Sequence, residues 1–112
     1  MSKFDDCIET YKKEFDKLGV SYKEDLLIKV AKGCGPSIYS ADASKVSSSD
    51  DAELKRVKDN FLVGKLGCPD GQKLDDAINA VIDKFGKSNR NKYRAMFYYM
   101  LTVHFKKEAV YA

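Results

Sequence analysis

Leu74-Asp75-Asp76-Ala77-Ile78-Asn79-Ala80-Val81-Ile82-Asp83-Lys84-Phe85-Gly86 is the stretch whose periodicity decides the fold class. Leu74, Ala77, Ile78, Val81, Ile82 and Phe85 recur at steps of three and four, which sets them on one face of an α-helix. Asp75, Asp76, Asn79, Asp83 and Lys84 fall on the opposite face, and Gly86 is a natural stop. Nowhere does the chain sustain the apolar–polar alternation of a half-buried strand.

The same rhythm extends outward in both directions. Phe4, Cys7, Ile8, Tyr11, Phe15 and Leu18 mark a first helix over 5–18, with Asp5, Asp6 and Glu9 near its start and Gly19 after it. Ser21-Tyr22-Lys23-Glu24 has the pattern of a capping box and opens a second helix over 22–33, striped by Leu26, Leu27, Val30 and Ala31. Asp50-Asp51-Ala52-Glu53 starts a third over 51–64, with Leu54, Val57, Phe61 and Leu62 on its apolar face. The opening stretch is the fourth, over 72–85. Ser88 reads as the cap of a fifth helix over 89–107, apolar nearly all round between Ala95 and Phe105 and therefore central. Between the second and third helices, Pro36-Ser37-Ile38-Tyr39 suits a short turn with proline at its first position. The serine-rich remainder to Ser49 is a loop covering the core, anchored by Ile38, Tyr39 and Val46.

The expected fold is all-α: one compact domain over 1–112, a bundle of about five helices with the C-terminal helix the most hydrophobic and central. Its expected core is Ile8, Tyr11, Phe15, Leu26, Leu27, Val30, Val57, Phe61, Leu74, Ile78, Val81, Ile82, Phe97, Met100, Leu101 and Val103. At 112 residues, 44% hydrophobic and 33% charged, the chain is too apolar for disorder and too charged for a membrane protein. The start, Met1-Ser2-Lys3-Phe4-Asp5-Asp6, carries no apolar stretch, so no signal peptide is expected. Three cysteines are an odd count, which points to free thiols in a reducing cytoplasm rather than a disulfide framework.

Gly35-Pro36-Ser37-Ile38-Tyr39, Ala41-Asp42-Ala43-Ser44, Lys58-Asp59-Asn60-Phe61-Leu62 and the run from Ser88 to Tyr99 resemble a family of small bacterial proteins known only as a domain of unknown function. The resemblance extends from the first helix to the fifth. It implies a bacterial, all-helical protein and supplies no activity, cofactor or catalytic residue.

Motifs of known chemistry fail one by one. Gly86-Lys87-Ser88 imitates the end of a phosphate-binding loop, but Val81 stands where its first glycine belongs, inside a helix and with no preceding strand. Gly33 and Gly35 begin a dinucleotide fingerprint that Ile38 breaks. Cys7, Cys34, Cys68 and His104 contain no local ligand pair of the kind structural zinc sites use. Asp5-Asp6, Asp50-Asp51 and Asp75-Asp76 each sit at a predicted helix start, where carboxylates cap and complement the dipole. No catalytic set, metal or cofactor is expected, and an enzyme ranks last among the readings.

One feature breaks a local rule. Lys87, Arg90, Lys92 and Arg94 crowd the start of the predicted fifth helix, the end whose dipole is already positive. Residues 84–112 carry a net charge of +6, whereas residues 1–83 carry −3. Lys87, Ser88, Asn89, Arg90 and Arg94 are the candidate anion-binding residues, with Arg90 and Arg94 on one helical face and Lys92 projecting elsewhere. Internal ion pairs from the arginines to Asp75, Asp76 or Asp83 are the alternative. Two functions compete. One is a non-enzymatic protein-interaction or self-associating module, suggested by Tyr93, Phe97, Tyr98, Tyr99 and Phe105 around the last helix. The other is binding of nucleic acid or a phosphate-like anion, with nucleic acid disfavoured by a pI of only 8.7. No membrane contact is expected.

Overall fold

The computed structural model of the chain describes residues 2–111; residues 1 and 112 of the expected domain lie outside them. The fold is all-α. Its helices are α1 (Lys3–Leu18), α2 (Glu24–Cys34), α3 (Asp51–Arg56), α4 (Gln72–Phe85) and α5 (Arg94–His104). α3 runs directly into a π-helix, Val57–Val63, and 3-10 turns occupy Gly35–Tyr39 and Glu108–Tyr111. Among the described residues, β pairing is confined to an isolated antiparallel bridge between Lys45 and Tyr93.

α5 is the centre of the bundle, packed against α1, α2 and α4. Ala95, Met96, Phe97, Tyr99, Leu101 and Thr102 are buried along it. The Thr102 hydroxyl donates to the Tyr98 carbonyl at 2.7 Å, which lets a polar side chain sit inside. The aromatics around α5, which suggested an interaction surface, fill the interior. Phe97 and Tyr99 are buried, and Tyr93, Tyr98 and Phe105 are half-buried against the core. Tyr98 stacks on Phe61 with centroids 3.9 Å apart, Phe97 on Phe85 at 6.0 Å, and Tyr99 meets Phe15 edge-on at 5.4 Å.

The expected core is buried with three corrections. Leu26 and Met100 are half-buried, and Val103 is exposed because the last turn of α5 leaves the side carrying Val103 and His104 open to solvent. In the long loop, Ile38 and Val46 are buried anchors as expected, whereas Tyr39 is 48% exposed. The turn at Pro36 forms, with proline in its first residues.

Local capping follows the expected pattern at α3 and departs from it at α2. Ser2 caps α1, its hydroxyl accepting from the Asp5 amide at 3.1 Å, and Asp50 caps α3 through the amides of Ala52 and Glu53. The capping box at Ser21–Glu24 does not form. α2 starts after Lys23, whose amide donates to the Tyr99 hydroxyl at 2.7 Å, so a distant side chain satisfies it. The predicted third helix occupies its expected span but widens after Arg56. Hydrogen bonds five residues apart stack Val57 above Leu62 and keep Phe61 beside them, so all three are buried. Gly64 closes this wide turn, where a Cβ would stand 2.6 Å from the Asn60 carbonyl oxygen.

The largest difference lies at the fifth helix, which begins at Arg94 rather than at residue 89. Ser88 therefore caps nothing, and residues 86–93 form a loop.

Candidate functional site

That loop is held open by its partner, the stretch 40–49. The Val46 amide donates to the Lys92 carbonyl at 2.8 Å, and the Arg94 amide donates to the Ser44 carbonyl at 2.7 Å. These two bonds flank the Lys45–Tyr93 bridge and fix the register between the loops. A helix starting at residue 89 would take both groups into its own ladder, so the non-local pairing sets the helix start.

The two loops enclose a cleft of about 580 Å³. Lys45, Ser47, Ser48 and Ser49 line one wall, and Lys87, Ser88, Asn89 and Arg90 the other. Four basic residues border it, counting Lys92, against the single carboxylate of Asp42. Among the described residues, Lys45, Lys87 and Arg90 make no ion pair. Lys45 lies over the Tyr93 ring, 5.4 Å from its centroid, which positions its stem without neutralising its charge.

The loop bearing Lys87 and Arg90 is internally braced. Gly86 ends α4 at φ 93°, a left-handed backbone that L side chains adopt poorly. The Asn89 side chain donates to the Phe85 carbonyl at 3.1 Å and accepts from the Asn91 amide at 2.8 Å. Lys92, expected to project away from the arginines and act mainly through long-range charge, is only 3% exposed. Its ammonium donates to the carbonyls of Lys87, at 3.0 Å, and Asn89, and so ties the loop to its own base. Burial holds its pKa below the ordinary lysine range.

Arg94 is separated from this cleft. Its Nε donates to the Ala43 carbonyl at 2.8 Å and one terminal nitrogen to the Tyr98 hydroxyl at 3.0 Å. The other terminal nitrogen pairs with the buried Glu53, which also binds Arg56 at 2.9 Å. The internal ion pair considered for the arginines thus exists for Arg94, but its carboxylate is Glu53. Asp75 instead pairs with Lys58, and Asp76 accepts from Gln72. Arg90 lies in the loop, so it shares no helical face with Arg94. Four of the five predicted residues are brought together, and the fifth braces the loop behind them.

The remaining reactive groups lie apart. Cys7, Cys34 and Cys68 are free thiols, and burial pushes Cys34 up to about 11, leaving it protonated at neutral pH. His104 is exposed at the end of α5, with its ring edge-on to Phe105 at 5.0 Å. Among the described residues no three His, Cys, Asp or Glu side chains gather into a metal site.

Sequence reasoning missed Lys45, the Ser47–Ser49 run and the burial of Lys92. The length of the 36–49 loop was the signal available for the first two. Residues 10–109 match the model of a family described as a protein of unknown function, DUF2853. No curated protein matches the chain.

Proposed function

We propose that this chain, which belongs to the DUF2853 family of proteins of unknown function, is a non-enzymatic binding module that takes an anionic partner in the cleft between residues 41–49 and 87–92. The observation that carries this reading is the convergence of Lys45, Lys87 and Arg90, none in an ion pair among the described residues, with four serines on one concavity. Unpaired cations in a cleft raise the local concentration of anions and shorten the search for them. Three free thiols suit a reducing, cytoplasmic setting, and no helix of the described residues is long and apolar enough to cross a membrane.

The test is a titration of isotope-labelled protein with inorganic phosphate, a polyglutamate peptide and a single-stranded oligonucleotide, read at the backbone amides. At least one of these is expected to move the amides of Ser47–Ser49 and Lys87–Asn91, with the response lost in Lys87→Ala/Arg90→Ala. Silence of those amides to all three probes at millimolar concentration refutes the reading.

A second surface favours self-association. Val20, Ala80, Val81, Met100 and Val103 line an apolar groove between α4 and α5, rimmed by Lys84 and His104. Val103 is 40% exposed there, an apolar side chain that a second copy of the chain would cover. Sedimentation equilibrium is expected to show a dimer that Val103→Glu abolishes; a strict monomer at all concentrations removes this reading.

A further inference from the structure

Lys92 is a buried ammonium without a buried counter-charge. It is 3% exposed, and among the described residues no carboxylate pairs with it. A buried charge is ordinarily paired, because desolvation is otherwise uncompensated. Lysine carries three N–H donors, and the carbonyls of Lys87 and Asn89 use two. The same side chain borders the basic cleft. The fold therefore keeps a little-exposed positive charge, with one N–H beyond those two bonds, on a side chain that lines a concavity bordered by further cations.

We infer that the partner's anionic group is a phosphate monoester, seated with one oxygen on Lys92 Nζ and the others toward Lys87 and Arg90 on one wall and Lys45 with Ser47 and Ser48 on the other. The inference rests on the anion-binding reading above and names its ligand class. Three directions of approach match a tetrahedral group, which presents three free oxygens, better than a planar carboxylate. A monoester carries close to two negative charges at neutral pH, against one for each phosphodiester. A compact dianion fits cations confined to one cleft. A nucleic-acid backbone spreads its charge and calls for a basic stripe. Asp42, the one carboxylate on the rim, adds repulsion that a large polyanion covering the whole cleft could not avoid.

The experiment follows the side-chain ammonium resonance of Lys92, which burial protects from rapid exchange, while intact protein is titrated with inorganic phosphate. Parallel arms use O-phosphoserine, a phosphoserine peptide and a phosphodiester oligonucleotide. Phosphate is expected to shift the Lys92 resonance together with the Ser47–Ser49 amides. Equal affinity for phosphate, phosphoserine and peptide supports a small phosphorylated ligand, and peptide binding about tenfold or more tighter supports a phosphoprotein. Lys92→Met is expected to weaken phosphate binding by about tenfold. Since that change also removes the bonds from Lys92 to the loop carbonyls, the exposed Arg90→Ala, with its fold verified by amide spectra, is expected to weaken phosphate binding by at least about threefold. Polyglutamate or oligonucleotide binding that moves the cleft amides, with no phosphate response at Lys92, overturns the monoester inference and leaves the broader reading standing. No response to any anion overturns both.

Discussion

Glu53→Gln removes one negative charge from the interior while keeping the size of the side chain and an acceptor oxygen. The Arg94 and Glu53 side chains are 15% and 11% exposed, so neither charge is well solvated. Breaking a buried pair by removing one partner costs about 3–5 kcal/mol, because the other charge is left uncompensated. Arg94 keeps the Ala43 carbonyl and the Tyr98 hydroxyl, which brings the expected loss to or just below the bottom of that range, about 2–3 kcal/mol. Arg56 adds little to the count, since its side chain is 59% exposed. Urea denaturation followed by circular dichroism reads the change. In a double-mutant cycle with Arg94→Met, the two losses should fall short of additivity by about 2 kcal/mol. A Glu53→Gln cost below about 0.5 kcal/mol, or additive losses, would refute the claim that this pair braces the back of the cleft.

Ile78→Ala should cost about 2–5 kcal/mol by urea denaturation, because Ile78 is 3% exposed at the α4 interface and truncation leaves a cavity. Gly64→Ala should cost about 1–3 kcal/mol, since its Cβ would meet the Asn60 carbonyl at 2.6 Å and force the wide turn to shift. Its amide spectrum should change first around Asp59–Leu66. Cys34 holds its proton up to about pH 11 when folded and releases it near 9 when unfolded. The folded state therefore binds more protons in that window, and the Cys34 contribution to stability is lost as pH rises through it. Comparing wild type with Cys34→Ala from pH 8 to pH 11 should show a stability loss that is smaller in the variant.

Periodicity located the five α-helices because burial of an apolar face repeats locally, as in Leu74 to Phe85. It failed where distant segments compete for the same backbone groups. The Lys92 carbonyl and the Arg94 amide are taken by Val46 and Ser44, so α5 starts five residues late and the predicted cationic helix end becomes a loop. The lone box at Ser21–Glu24 failed likewise, because the Glu24 carboxylate accepts from Lys12 and the helix starts after Lys23. Charge arithmetic found Lys87 and Arg90, which stay exposed, but misplaced Lys92 and Arg94. For those two, the deciding partners are carbonyls and a carboxylate fixed only by the fold. Lys45 and the serines needed the loop pairing before they could be assigned to the same cleft.

The most direct test of the anion cleft is a crystal soaked in tungstate, a tetrahedral oxyanion whose position is read from anomalous scattering. The expected result is one dominant peak within hydrogen-bonding distance of Lys92 Nζ and between Lys87 or Arg90 and the Ser47–Ser49 wall, absent in Lys87→Ala/Arg90→Ala. Peaks confined to other surfaces, with the cleft empty and clear of lattice contacts, would contradict the account.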